Sequence, residues 1–192
     1  MISALKHPLV LASQSPRLEQ ILRMLGFEFS IVPSNVDETV PSGMAPEKVA
    51  EELAVIKALH VSGTGGNDLV LGADTLVLLD GRILGKPSGP EEAMEMLRFL
   101  RGRTHQVYTG VALALAGKLA ASCVECSEVT FASWSDADLE DYVGGGEPMD
   151  KAGAYAIQGR GAFLVEGIRG CFFNVMGLPI QATLRLLKPY RE

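Results

Sequence analysis

The strongest local constraint in this chain lies at residues 72–87, Gly-Ala-Asp-Thr-Leu-Val-Leu-Leu-Asp-Gly-Arg-Ile-Leu-Gly-Lys-Pro. An apolar run at 76–79, the dipeptide Asp80-Gly81 and a second strand-like run at Arg82–Leu84 specify a β-hairpin. Asp-Gly suits a type I′ turn because both central residues take positive φ. With those two residues as the loop, Leu79 faces Arg82, and counting outward sets Thr75 opposite Lys86. Asp74 then lies one step from the level of Lys86. Strict alternation turns Asp74 to the other face, so bringing the two together needs a bulge or a strand end. Gly72 and Gly85 are placed to allow one. Spacing alone leaves two readings open: a site for a metal-bound phosphate, or a strand-end aspartate and a solvated lysine beside an ordinary hairpin.

Before the hairpin, an apolar strand at 9–12 runs into Ser13-Gln14-Ser15-Pro16-Arg17 and a helix with apolar Leu18, Ile21, Leu22 and Leu25. Ser15 is placed as N-cap, Pro16 at the first helical position and Gly26 as the stop. A hydroxyl-rich turn at a helix N-terminus suits an anion, and Arg17 in the first turn opposes the helix dipole unless an anion is bound. The alternative is a plain capped helix with an exposed arginine. A second strand is expected at 28–32, then a loop at 33–46 holding the adjacent carboxylates Asp37 and Glu38. A helix follows over 46–61, with Val49, Leu53, Ile56 and His60 as its buried stripe. Lys57 lies beside that stripe, turned into a cleft or snorkelling to water.

After the hairpin, the pattern predicts a helix over Pro90–Leu100, capped at Ser88 or Gly89, with Glu91 and Glu92 complementing its dipole. A long strand over Thr104–Leu115 turns at Gly117-Lys118 and returns over 119–131. His105 is read as a structural hydrogen-bonding group rather than a substrate contact. Ser135 and Asp138 have capping-box spacing, and Gly144-Gly145-Gly146 ends that helix. Residues 147–159 form a long irregular stretch, of the kind that in compact domains more often serves function. Strands are expected at 162–168 and 171–176, and a last helix at 179–187. The fold class expected is α/β: an elongated mixed β-sheet flanked by helices, as two lobes with a central cleft, within a single domain over 1–192.

Composition narrows the function classes. A chain of 192 residues with 47% hydrophobic and 21% charged residues has the make-up of a globular domain. A net charge of −6 argues against non-specific nucleic-acid binding but leaves room for a small anion where basic residues converge. No run approaches membrane-spanning length and no secretory signal is visible in the first residues, so a cytoplasmic protein with no membrane partner is expected. Cys123-x-x-Cys126 lacks a second ligand pair and falls in a predicted strand, where an offset of three points the side chains apart. Cys123, Cys126 and Cys171 therefore read as reduced structural thiols rather than a zinc or redox site.

Four stretches, Leu11 to Arg17, Gly72-Ala73-Asp74-Thr75 with Gly85-Lys86-Pro87, Glu147 to Gly159, and Gly177-Leu178-Pro179, occur in order over nearly the whole chain. Together they resemble the Maf family of nucleoside triphosphate pyrophosphatases. The resemblance implies a fold shared with the inosine triphosphate pyrophosphatases, a homodimer, and cleavage of a nucleoside triphosphate between its α- and β-phosphates. The segment Ala154-Tyr155-Ala156-Ile157-Gln158-Gly159 resembles the dTTP- and UTP-directed branch rather than the 7-methyl-GTP branch. The motif positions carried over are Ser13, Arg17, Glu38, Lys57, Asp74, Thr75, Lys86 and Gln158. Asp74, Lys86 and Lys57 are the expected catalytic residues, Ser13, Arg17, Thr75 and Gln158 bind substrate, and Glu38 and Asp74 hold Mg²⁺ or Mn²⁺. One departure is Leu18, where the family commonly has a second basic residue. Two alternatives stand: a non-catalytic nucleotide-binding regulator of cell division, or the same reaction on a purine. The cellular purpose, clearing non-standard nucleotides or restraining division, is not written in the sequence.

Overall fold

The computed structural model describes residues 4–36, 43–63 and 66–192. In chain order the elements are β1 (Leu9–Leu11), α1 (Pro16–Met24), β2 (Phe29–Ile31), α2 (Pro46–Ser62), β3 (Leu69–Leu79), β4 (Arg82–Leu84), α3 (Pro90–Leu100), β5 (Thr104–Leu115), β6 (Lys118–Phe131), α4 (Asp136–Gly144), β7 (Val165–Arg169), α5 (Phe172–Met176) and α6 (Ile180–Leu187). Among the described residues seven strands form one mixed sheet in the order β2-β1-β3-β5-β6-β7, with β4 paired to β3. The expected α/β class and mixed sheet are present. Contacts divide the chain into two compact units, one of residues 1–74, 109–125 and 177–192, the other of 75–108 and 126–176.

In the first unit β1 pairs in parallel with both β2 and β3, in the register Leu11↔Ile31 and Leu11↔Leu71. Helix α2 lies unusually close to this sheet. A Cβ at Gly72 would sit 2.4 Å from the Ala54 carbonyl oxygen, and one at Gly110 only 2.0 Å from that of Ala50. Small residues allow this approach: Ala54 and Ala58 on the helix pack with Ala112 and Ala114 on β5. The buried stripe matches the expected one in part. Val49 and Leu53 are buried as expected, joined by Ala50, Ala54, Ala58 and Val61, whereas Ile56 is half-buried and His60 exposed. Apolar bulk was the wrong guide because the closest contact between a helix and a sheet belongs to the smallest side chains. Gly72 likewise serves this close packing, and β3 runs unbroken through Asp74.

In the second unit Asp80 (φ 50°) and Gly81 (φ 76°) form the expected positive-φ hairpin loop, with Leu79↔Arg82 and Val77↔Leu84 in register. The core gathers Val77, Leu84, Leu97, Phe131, Leu139 and Tyr155 between α3, α4 and the strands. His105, Phe131 and Tyr155 meet edge to face at 4.7–5.3 Å, and the His105 Nε2 and Tyr155 hydroxyl share a 2.8 Å hydrogen bond. The structural role expected of His105 holds. Ser135 and Asp138 form the expected capping box on α4, and the Glu92 carboxylate accepts hydrogen bonds from the Ser88 N–H and hydroxyl ahead of α3.

Three expectations need correction. The turn between β5 and β6 is centred on Ala116 (φ 51°) and Gly117 (φ 74°), with Lys118 already the first residue of β6. The strand expected at 162–168 begins only at Val165, because Gly159–Leu164 is a 3-10 turn. The strand expected at 171–176 is helix α5. Its apolar run suits a strand locally. Asn174 and Met176 are both buried, and the Asn174 amide donates to the Val107 carbonyl and the Ser127 hydroxyl, each at 3.0 Å.

Cys123, Cys126 and Cys171 form no disulfide among the described residues. Burial raises the Cys123 thiol to about 11, which suits a structural thiol rather than a nucleophile. Among the described residues no helix is long and apolar enough to cross a membrane.

Candidate functional site

Parallel strands that end beside a helix N-terminus make a crevice at their carboxyl ends, where open α/β sheets bind ligands. The first unit has this arrangement. Leu11 and Leu71 are paired, so Ser13 and Asp74 lie two and three residues beyond one rung of the ladder. Ser13 is half-buried, and its Oγ accepts a 3.1 Å hydrogen bond from the Ser15 N–H. Ser15 occupies the N-cap of α1 as expected, with Pro16 following, but its side chain does not cap the helix. The Ser15 Oγ is buried and has no hydrogen-bond partner among the described residues. A buried hydroxyl without a partner is costly, and one at the start of a helix, where backbone N–H groups also point outward, suits an anion. Arg17 follows, half-buried in the first turn, while Leu18 is buried in the core. The departure from the family pattern at Leu18 is thus a core position in this chain.

The close seating of α2 on β3 sets the other pair in this unit. Lys57 projects from the helix to donate a hydrogen bond to the Asp74 carboxylate. Only 13% of each side chain is exposed. The ion pair sets a carboxylate, an oxygen donor, at the strand end. Of the two placements open to Lys57, the inward one is realised. Glu38, expected as a metal ligand together with Asp74, lies outside the described residues. Among the described residues no cluster of three or more His, Cys, Asp or Glu side chains forms a metal site.

The second unit holds Thr75, Lys86 and Gln158. Thr75 is half-buried on β3. The ladder that was to set it opposite Lys86 stops at Leu84, and Lys86 is exposed in an irregular segment beyond. There the Gly85 carbonyl accepts a 3.0 Å hydrogen bond from the Gly153 N–H, so the segment bearing Lys86 is tied to the 147–159 stretch instead. Gln158 is half-buried at the start of the 3-10 turn Gly159–Leu164.

Sequence reasoning missed what orders that stretch. The Glu147 carboxylate accepts hydrogen bonds from the N–H groups of Arg160 and Gly161, each at 2.9 Å, and from the Tyr142 hydroxyl at 3.1 Å. Burial pulls its pKa upward, but these donors and Lys151 outweigh that and hold the carboxyl below its usual range. Two glycines flanking Arg160 were the available signal for backbone passing close to another group. Tyr155, within this stretch, is a buried core residue.

A protein of Pelotomaculum thermopropionicum named dTTP/UTP pyrophosphatase is 48% identical over 183 residues, 95% of this chain and 96% of its own length. One of the same name from Moorella thermoacetica is 51% identical over 180 residues, 93% of each chain. A solved structure of a HAM1 protein from Coxiella burnetii covers 67% of this chain and 74% of its own, at 22% identity and a TM-score of 0.47. The family model described as Maf-like protein matches residues 8–190, and the chain belongs to that family.

Proposed function

We infer that this chain hydrolyses nucleoside triphosphates, with dTTP and UTP favoured, between the α- and β-phosphates to give the nucleoside monophosphate and pyrophosphate. The observation that carries the reading is the Lys57–Asp74 pair on the same parallel-strand edge as the Ser15 hydroxyl at the start of α1, buried and without a hydrogen-bond partner among the described residues. Near-full-length likeness to proteins named dTTP/UTP pyrophosphatase supports the choice of substrate.

Cleaving a phosphoanhydride requires neutralising the triphosphate, orienting a water in line and stabilising the departing pyrophosphate. Arg17, Lys57 and Lys86 are assigned to the phosphate charge, with Ser13 and the α1 N-terminus donating hydrogen bonds. Asp74 is the proposed base that takes the proton of the attacking water. A divalent cation, Mg²⁺ or Mn²⁺, fits the all-oxygen donors Asp74 and Glu38, and when bound it supplies charge neutralisation at the phosphate oxygens. Thr75 and Gln158 are assigned to the base, because an amide offers a donor and an acceptor together to the edge of uracil or thymine. The family's homodimer and a cytoplasmic location are part of the same proposal.

The test is pyrophosphate release from dTTP, UTP, CTP, 7-methyl-GTP and inosine triphosphate, with Mg²⁺ or Mn²⁺, for the wild type and Asp74→Asn. Fast release from dTTP and UTP, lost in Asp74→Asn, is expected. Release from a purine alone would discard the base assignment, and intact nucleotide binding without any release would favour a non-catalytic regulator.

A further inference from the structure

The segment bearing Gln158 is gripped on both sides. Before it, the Ala156 N–H donates to the Tyr142 hydroxyl at 3.2 Å; after it, the N–H groups of Arg160 and Gly161 donate to Glu147. The Tyr142 hydroxyl in turn donates to Glu147, so one carboxylate closes both ends of the clamp. The backbone passes so near that a Cβ at Gly159 (φ 72°) would lie 2.7 Å from the Glu147 Oε2, and one at Gly161 would lie 2.5 Å from the Tyr142 hydroxyl. Lys151 ties down the other end of Glu147 by donating to its carbonyl oxygen at 2.6 Å. The chemistry needs a carboxylate: three donors converge on it, and a carboxamide would set an NH₂ group against an N–H or O–H.

We propose that Glu147 is the positioning residue for Gln158, fixing the backbone on both sides of it so that the Gln158 amide meets the pyrimidine edge without prior ordering. The proposal rests on the reading of Gln158 as the base-recognition residue. Because Glu147 holds the segment through backbone groups, its contribution falls on substrate binding, leaving the Asp74 chemistry in place.

The experiment is steady-state kinetics with UTP, dTTP and inosine triphosphate for Gln158→Ala, Glu147→Gln, Tyr142→Phe and the double variant Glu147→Gln/Gln158→Ala. Gln158→Ala is expected to raise KM for UTP and dTTP about tenfold, and Glu147→Gln to raise it about fivefold with kcat within about twofold. The double variant should be no worse than Gln158→Ala alone, since both remove one function. Tyr142→Phe keeps the buried ring but withdraws one donor, and should show the same KM-specific change at smaller size; it serves if Glu147→Gln does not fold. Lower thermal stability of Glu147→Gln with KM unmoved, or additive KM effects in the double variant, would overturn the proposal alone. An unchanged KM in Gln158→Ala would remove the base-recognition reading, and the proposal with it.

Discussion

Lys57 on α2 donates to the Asp74 carboxylate on β3, and each side chain is only 13% exposed. The helix and strand are held close by small residues, so the pair does not depend on two flexible side chains finding each other in solvent. Lys57→Met leaves Asp74 part-buried without this cation and should cost about 1–3 kcal/mol in urea unfolding. Lys57→Met/Asp74→Asn should recover part of that loss, because the stranded charge is gone. Asp74→Asn should slow pyrophosphate release by about 10²–10⁴-fold. Near-wild-type turnover in Asp74→Asn would remove Asp74 from both of its assigned roles.

Gly110→Ala should be among the most damaging single-methyl changes in the chain. Its Cβ would fall 2.0 Å from the Ala50 carbonyl oxygen, which is helix backbone and has no rotamer to yield. A loss of about 3 kcal/mol is expected in the urea midpoint, with reduced turnover because α2 carries Lys57. Gly85→Ala is the control: its Cβ would meet nothing within 4 Å, and the change should stay within about 0.5 kcal/mol. Equal midpoints for the two variants would contradict the close seating of α2.

Burial lowers the His105 pKa from 6.5 to about 4. The folded state therefore keeps His105 neutral at pH values where the unfolded chain has already bound a proton. Stability should be independent of this group above about pH 7 and fall as pH drops from 6.5 toward 4, by about 3 kcal/mol in total. Subtracting the unfolding free energies of His105→Gln from those of the wild type across this window isolates the term. A difference that stays flat from pH 7 to pH 4 would show that His105 is not a buried neutral imidazole.

Asn174 is fully buried, and its amide donates to two acceptors, the Val107 carbonyl and the Ser127 hydroxyl. Asn174→Ala should destabilise by about 1–3 kcal/mol, since it leaves those acceptors without this donor and opens a small void. Thermal unfolding reads the loss. Little change would mean that the apolar packing of α5 suffices to hold it helical.

Local chemistry carried much of the fold. The Asp80-Gly81 turn, the start of α1 at Pro16 and the capping box at Ser135 are set by residues close in sequence, and the structure bears them out. Half of the α2 stripe was misread, Val49 and Leu53 being buried but Ile56 and His60 not, because alanines share the buried face and their weak hydrophobic signal hides the tightest contact in the unit. Helix α5 was misread because a five-residue segment with four apolar residues is too short for its period to be read. Of the site, Lys57 and Asp74 were singled out by residue type, yet their meeting required a helix and a strand 17 residues apart to come together.

By itself the sequence determined the Asp80-Gly81 turn, the α4 capping box and the family motifs, because each depends on φ preferences, hydrogen bonds or residue identities within a few positions. Only the tertiary structure decided which small residues let α2 lie on the sheet, and so which lysine meets Asp74. It also revealed that Glu147 is the acid holding the backbone around Gln158. Those outcomes depend on close packing and on donors converging from separate segments, and no local pattern encodes either.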